Sequence, residues 1–347
     1  MRIAILTFSH AINRGAHMQC YALAKIFHKL GHTATIIHIE LPSGHLNFKG
    51  RILTTITNWK NELFRKRYYP SITKAYHNAV ELRASCPKAD VYVVGSDQVW
   101  NPSITGSFGA ESFFLDFVPP GKRKIAYAAS FGVSEWQHSP IDNKIGHLLH
   151  QFDAISVREL NGIDICRETF GITNVQAVLD PVFLIKDYSN ITGSSVAPQK
   201  QAMYYPLTVD ETIRDIFLST TTELHLKPLS FSTSVMGKDI QTKLFSSIPE
   251  WLRHIKSSEF IVTNSFHCIA FSIIFNKSFI ATPPAKGKEA RILSILKQLN
   301  LESRYVRSKE EFLQRKSELL QPINYKTVNP NLDNLRAQSI EFLTRHL

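Results

Sequence analysis

The feature that most constrains this chain is a series of short, continuously apolar runs separated by helical patterns. Arg2–Phe8 opens the series, followed by a helical stretch Ala16–Leu30 closed by Gly31 and a second short run Thr35–Ile39. Strands that are apolar on both faces belong in a parallel sheet covered by helices on each side, and a strand–helix–strand opening sets up its right-handed crossovers. The pattern returns at Val91–Val94, Lys124–Ala129, Ala154–Val157 and Val175–Leu179, with a helical pattern at Glu159–Phe170.

A break then follows at Leu179-Asp180-Pro181, and the polar stretch Tyr188–Gln201 reads as a linker. A second α/β set begins at Ala202–Tyr205 and continues through a strand at Glu259–Thr263, a helix at Phe266–Phe275, a strand at Ser278–Ala281 and a helix at Lys288–Leu299. The expectation is two doubly wound Rossmann-like domains facing each other across a cleft: residues 1–187, then 188–330, with an amphipathic helix in 331–347 packing back across the junction. The 347 residues suffice for two such domains. In these sheets ligands bind at the carboxyl ends of the strands.

Composition removes several function classes. Hydrophobic residues at 44% and charged residues at 20% fit a packed globular protein. No apolar run reaches the ~18 residues of a membrane span, and the N-terminal stretch reads as a strand rather than a signal sequence, so a cytoplasmic protein is expected. Cys20, Cys86, Cys166 and Cys268 form no close pair, which points to reduced thiols. The fourteen histidines make no His-Glu-x-x-His pattern, so neither a metal nor a cofactor is expected. Rossmann Gly-x-Gly-x-x-Gly and P-loop patterns are absent, which ranks nicotinamide redox and ATP hydrolysis low.

The net charge of +11 calls for an anionic partner. Its densest patch is Lys49–Arg67, where Lys49, Arg51, Lys60, Arg65, Lys66 and Arg67 interleave with Trp59, Phe64, Tyr68 and Tyr69. Such a stretch can stack bases, rest on anionic lipid at the inner face of a membrane, or form a solvated helix face. No recognised nucleic-acid motif surrounds it, and no nucleic-acid partner is expected.

Four segments sit just after strands, where such folds place their chemistry. In the first, Asn13, Gly15 and Gln19 lie at a helix start that can hold an anion or a sugar hydroxyl, or simply connect two elements. In the second, Ser96, Asp97, Gln98 and Trp100 offer donors, acceptors and a ring face to a polyol; a turn with a packing tryptophan is the other reading. In the third, Arg158 can fork onto a carboxylate or phosphate, or pair with Glu159. In the fourth, Ser265 can cap the helix after Asn264 and place Phe266 and His267 in its first turn, where an imidazole can serve as acid or base. A structural histidine is the alternative.

Together these segments resemble the polysaccharide pyruvyltransferase family. The resemblance runs from Asn-x-Gly-Ala-x-x-Gln-x-x-Ala-Leu (Asn13 to Leu23) through VVGSDQVWNP, FFLDF, KIAYAASFG, FDAISVRE and LDPVFL to EFIVTNSFHCIAFSIIFNKSFIA (Glu259 to Ala281). It implies a GT-B-like pair of domains and transfer of a pyruvyl group from phosphoenolpyruvate to a sugar diol in cell-surface polysaccharide synthesis. It places His267 and Arg158 on the donor, with Lys288 and Arg291 as further anion anchors, and Asp97 on the glycan acceptor. Asn264 stands where many members have Asp, Cys268 where they have Gly, and Arg14 where an aromatic is usual. The first departure is expected to leave His267 without an orienting carboxylate, and the second to narrow the approach to the phosphate. A metal-independent nucleotide-sugar glycosyltransferase is the alternative. The acceptor sugar, the ketal stereochemistry and the oligomeric state are not encoded in any motif.

Overall fold

The computed structural model describes residues 1–10, 13–41, 48–208, 210–232, 236–285 and 287–347, without the side chains of residues 48–53. The chain divides into two units. The first comprises Met1–Phe48, Asn61–Ile185 and Asp333–Leu347; the second comprises Lys49–Lys60 and Lys186–Leu332.

The first unit is built on a seven-stranded parallel sheet: β1 Arg2–Leu6, β2 Thr33–Ile39, β3 Ile72–Tyr76, β4 Val91–Val94, β5 Arg123–Ala129, β6 Ala154–Val157 and β7 Val175–Ala177. Their order is β3-β2-β1-β4-β5-β6-β7, so the direction of winding reverses between β1 and β4. Every residue of β4 and β6 is buried, as their unbroken apolar sequences require. Helix α1, Arg14–Lys29, follows β1; its N-cap is Asn13, whose Oδ1 accepts from Gly15 N–H at 2.9 Å. Gly31 closes it with a φ of +83°, a left-handed backbone that glycine adopts without steric cost. The expected helix over Glu159–Phe170 is present from Asn161, as an α-helical turn Asn161–Asp164 that runs into a π-helical turn Ile165–Thr169.

Helix α2, Phe48–Tyr68, carries the basic segment. Phe64 and Tyr69 are buried and pack against His17, while Phe64 also meets Tyr21. Two of the four rings needed for base stacking are thus spent on the core. Trp59 and Leu63 remain exposed. Among the described residues, no helix is long and apolar enough to cross a membrane.

The second unit holds a five-stranded parallel sheet, β8 Gln199–Tyr205, β9 Lys227–Phe231, β10 Gln241–Lys243, β11 Ser258–Thr263 and β12 Ser278–Ala281, in the order β10-β9-β8-β11-β12. β8 and β11 pair through Thr263↔Tyr205, and β11 and β12 through Thr263↔Ala281, so the loops leaving all three emerge at one edge. Tyr204, Phe217, Val262, Ile280 and Phe312 form part of its core.

The long helix Tyr325–His346 begins in the second unit and ends in the first. There Ser339 Oγ accepts from Leu179 N–H at 3.0 Å, Arg336 donates to the Phe183 carbonyl at 2.6 Å, and Phe342 packs on Tyr127.

Candidate functional site

Each unit brings candidate residues together at the carboxyl edge of its own sheet. In the first, a cavity of about 230 Å³ opens where β1, β2 and β4 end, at the reversal of strand order. Asn13, His10, Asp97 and Gln98 give it polar groups; Phe8, Ile39 and Ile104 give it apolar walls.

The β4 end is held in an unusual conformation. Asp97 has a φ of +75°, a left-handed backbone that aspartate tolerates better than most residues. Its Oδ1 accepts from Gln98 N–H at 3.0 Å, and its carbonyl accepts from Ser130 N–H at 3.1 Å. Gln98 in turn lies across Gly132, whose φ is +71°; a Cβ there would fall inside the glutamine side chain. Asn101 Nδ2 donates to Gln98 Oε1 at 3.3 Å and fixes its rotamer.

Behind this loop is a buried ion cluster. Arg158 donates from Nε to Glu159 at 2.7 Å and from Nη1 to Asp180 at 2.9 Å, and its Nη2 lies 3.8 Å from Asp97 Oδ1. Ser96 Oγ donates to the same Asp180 oxygen at 2.8 Å. Burial works against the guanidinium's charge, but the carboxylates of Glu159, Asp180 and Asp97 outweigh it and push its pKa above the ordinary value. The guanidinium is 2% exposed and ringed by three carboxylates. In this structure Arg158 takes the pairing with Glu159 that was the other reading of its sequence, and it braces the loop that presents Asp97.

Four neighbouring expectations are corrected. Trp100 is fully buried, stacked on Phe114 at 5.4 Å with its indole N–H donated to the Phe113 carbonyl, so it packs the core and meets no sugar. Gln19 is buried and donates to Thr7 Oγ1 and the Ala16 carbonyl. Ser96 is spent on Asp180, and Gly15 is a buried helical residue rather than part of a turn.

His10, His38 and Glu40 are residues that spacing did not single out. His38 Nε2 lies 3.0 Å from His10 Nδ1 and 3.7 Å from Glu40 Oε1, and His77 Nδ1 lies 3.2 Å from Glu40 Oε2. Burial first, then the neighbouring His10 and Arg65, lower the His38 pKa to about 4; burial and Arg65 lower that of His10. The one sequence signal was the pair His38-x-Glu40, two residues apart and so on one face of a strand end.

In the second unit, Asn264 to His267 leave β11 and enter the helix Phe266–Ile274. Ser265 caps it, its Oγ accepting from Cys268 N–H at 3.4 Å. His267 sits in the first turn, 4% exposed, with Phe266 edge-on at 5.1 Å. Lys288, exposed, and Arg291, half-buried, follow the adjacent β12. The side chain of Asn264 reaches the loop after β8: its Oδ1 accepts from Leu207 N–H at 2.6 Å and its Nδ2 donates to the Thr208 carbonyl at 3.0 Å. The amide thus ties two loops together, a task its Nδ2 performs and a carboxylate could not. Cys268 is fully buried, its thiol pushed up to about 12 by burial. It faces the core, so the expectation that it narrows a phosphate approach is corrected.

The sequence profile described as polysaccharide pyruvyl transferase matches residues 13–284. The chain belongs to this family. No curated protein matches it in sequence. Among solved structures, UDP-N-acetylglucosamine 2-epimerase from Rickettsia bellii superposes with a TM-score of 0.58 at 11% identity, covering 99% of this chain and 96% of that one. LpCGTa in complex with UDP gives 0.56 at 10% identity over 99% and 98%. Arabidopsis thaliana UGT89C1 gives 0.52 at 9% over 98% and 99%. At such identities the likeness concerns fold alone: this pyruvyl transferase family member has a GT-B-like pair of Rossmann-like units.

Proposed function

We propose that the protein transfers the pyruvyl group of phosphoenolpyruvate to two hydroxyls of a sugar, forming a pyruvate ketal in surface-polysaccharide synthesis. The observation that carries this reading is His267 in the first turn of a capped helix at a sheet edge, in a chain of this family. The positive end of the helix dipole favours a phosphate, and Lys288 and Arg291 on the adjoining loop and helix add positive charge for the donor's carboxylate and phosphate.

The chemistry divides among these groups. A proton delivered to the methylene carbon makes the central carbon electrophilic. One sugar hydroxyl attacks it, the C–O bond to phosphate breaks, and the second hydroxyl closes the ketal. The hydroxyl protons balance the one taken by carbon and the one lost to phosphate or solvent. His267 is the acid–base group in this scheme, a role worth ~10²–10⁴ in rate. On the acceptor side, Asn13, Asp97 and Gln98 line a cavity closer in size to one sugar ring than to an oligosaccharide.

The deciding experiment measures inorganic phosphate release from phosphoenolpyruvate over a panel of nucleotide-linked, lipid-linked and polymeric glycans, with nucleotide-sugar consumption followed in parallel. Phosphate release coupled to a ketal product supports the reading. Turnover of a nucleotide sugar without phosphoenolpyruvate would replace it with glycosyl transfer.

A further inference from the structure

His10 follows β1, and His38 and Glu40 share a face at the end of β2. Because β1 and β2 pair in parallel, with Leu6 beside Ile37, both strands deliver these side chains to the same edge. One donor atom from each residue lies within 4.8 Å of the other two. His38 Nε2 is 3.0 Å from His10 Nδ1 and 3.7 Å from Glu40 Oε1. A tetrahedral zinc ion with bonds of about 2.0–2.2 Å holds its ligand atoms roughly 3.3 Å apart. The His38 pairs need shifts of a few tenths of an ångström, and a side-chain rotation of about an ångström closes the longest separation so that the three groups share an ion.

We propose that His10, His38 and Glu40 form a binding site for a divalent transition-metal ion, zinc foremost, beside the cavity of the first unit. Two imidazoles and one carboxylate form a nitrogen-rich donor set, which suits zinc and its neighbours rather than magnesium or calcium. All three residues are half-buried, and His10 lines the cavity, so a fourth position is open to a water, hydroxyl or phosphate oxygen from that side. His77 is placed to hold the second oxygen of Glu40 from outside the coordination shell.

One group opposes the ion. Arg65 Nη1 donates to His10 Nδ1 at 2.7 Å, occupying the lone pair the metal would take. Arg65 has other partners in Glu62, 3.1 Å from its Nε, and the Ser9 carbonyl. Ion and guanidinium therefore compete for one nitrogen, and the guanidinium can withdraw to Glu62. A purely hydrogen-bonded polar cluster has no such competition.

The test uses full-length protein freed of any polyhistidine tag and stripped with a chelator. It is titrated with Zn²⁺ by calorimetry and with Co²⁺ by visible absorption, which reports inner-sphere nitrogen ligands. One ion per chain is expected. His38→Ala and Glu40→Gln should each weaken binding more than tenfold, and His77→Ala by about tenfold. Arg65→Gln should tighten it, a gain that misfolding cannot mimic. Absence of saturable binding in the native protein, binding unchanged in the His38→Ala/Glu40→Gln double variant, or no gain in Arg65→Gln would each overturn the assignment. The readout is the ion alone, so the result is independent of whether the protein transfers pyruvate.

Discussion

The side-chain amide of Asn264 donates to the carbonyl of Thr208 across 3.0 Å and accepts from Leu207 N–H, tying the loop after β11 to the loop after β8. An aspartate at this position keeps the acceptor but sets a negative oxygen against the carbonyl. We expect Asn264→Asp to cost about 1–3 kcal/mol, the usual penalty for a spoiled buried hydrogen bond. Thermal unfolding of the variant checks this; an unchanged midpoint would mean the bridge contributes nothing.

The contact between Gln98 and Gly132 gives a second expectation. Alanine at 132 must adopt a left-handed backbone, costing roughly 1–2 kcal/mol, and its methyl group must expel the Gln98 side chain. Gly132→Ala should therefore raise the KM for the acceptor more than it lowers kcat. Gly146→Ala, where the added methyl meets only Phe170 at ordinary contact distance, serves as the control.

Arg158→Met leaves Asp97, Glu159 and Asp180 without their shared cation. Removing one partner of a buried ion cluster typically costs about 3–5 kcal/mol, so the midpoint of urea unfolding should fall sharply. Combining it with Asp180→Asn should recover part of the loss. An unchanged midpoint would mean that the cluster adds nothing to stability.

His267→Gln should reduce phosphate release from phosphoenolpyruvate by about 10²–10⁴-fold while the melting temperature stays close to that of the parent. Near-normal turnover would remove the imidazole from the mechanism.

Thiol reactivity is set by burial. Desolvation pushes Cys20, Cys166 and Cys268 to about 12, and it raises half-buried Cys86 less far. A raised pKa withholds the thiolate until the pH approaches it. At pH 8 the folded protein should therefore react with a thiol reagent at Cys86 at most, and at all four positions in guanidinium.

The sheets were legible because strands buried on both faces write their surroundings into four or more consecutive residues; Val91–Val94 and Ala154–Val157 have the same ends in sequence and structure. The surroundings of single side chains were less so. Trp100 beside a polar turn looks like a sugar platform until Phe113, Phe114, Phe131 and Phe152 close around it, and none of these is a sequence neighbour. Arg158 shows one partner, Glu159, in the sequence, and the fold adds Asp180 from 22 positions on. The histidine–glutamate cluster was hidden for the same reason, since two strands separated by a whole helix supply it.

The return of Arg336, Ser339 and Phe342 to the first unit bears on how the protein is made. The groups that engage Phe183, Leu179 and Tyr127 are synthesised only after the second unit. On the ribosome, where domains generally fold as they emerge, the amino-terminal sheet must wait with that flank uncovered, and the last turns of helix lock it.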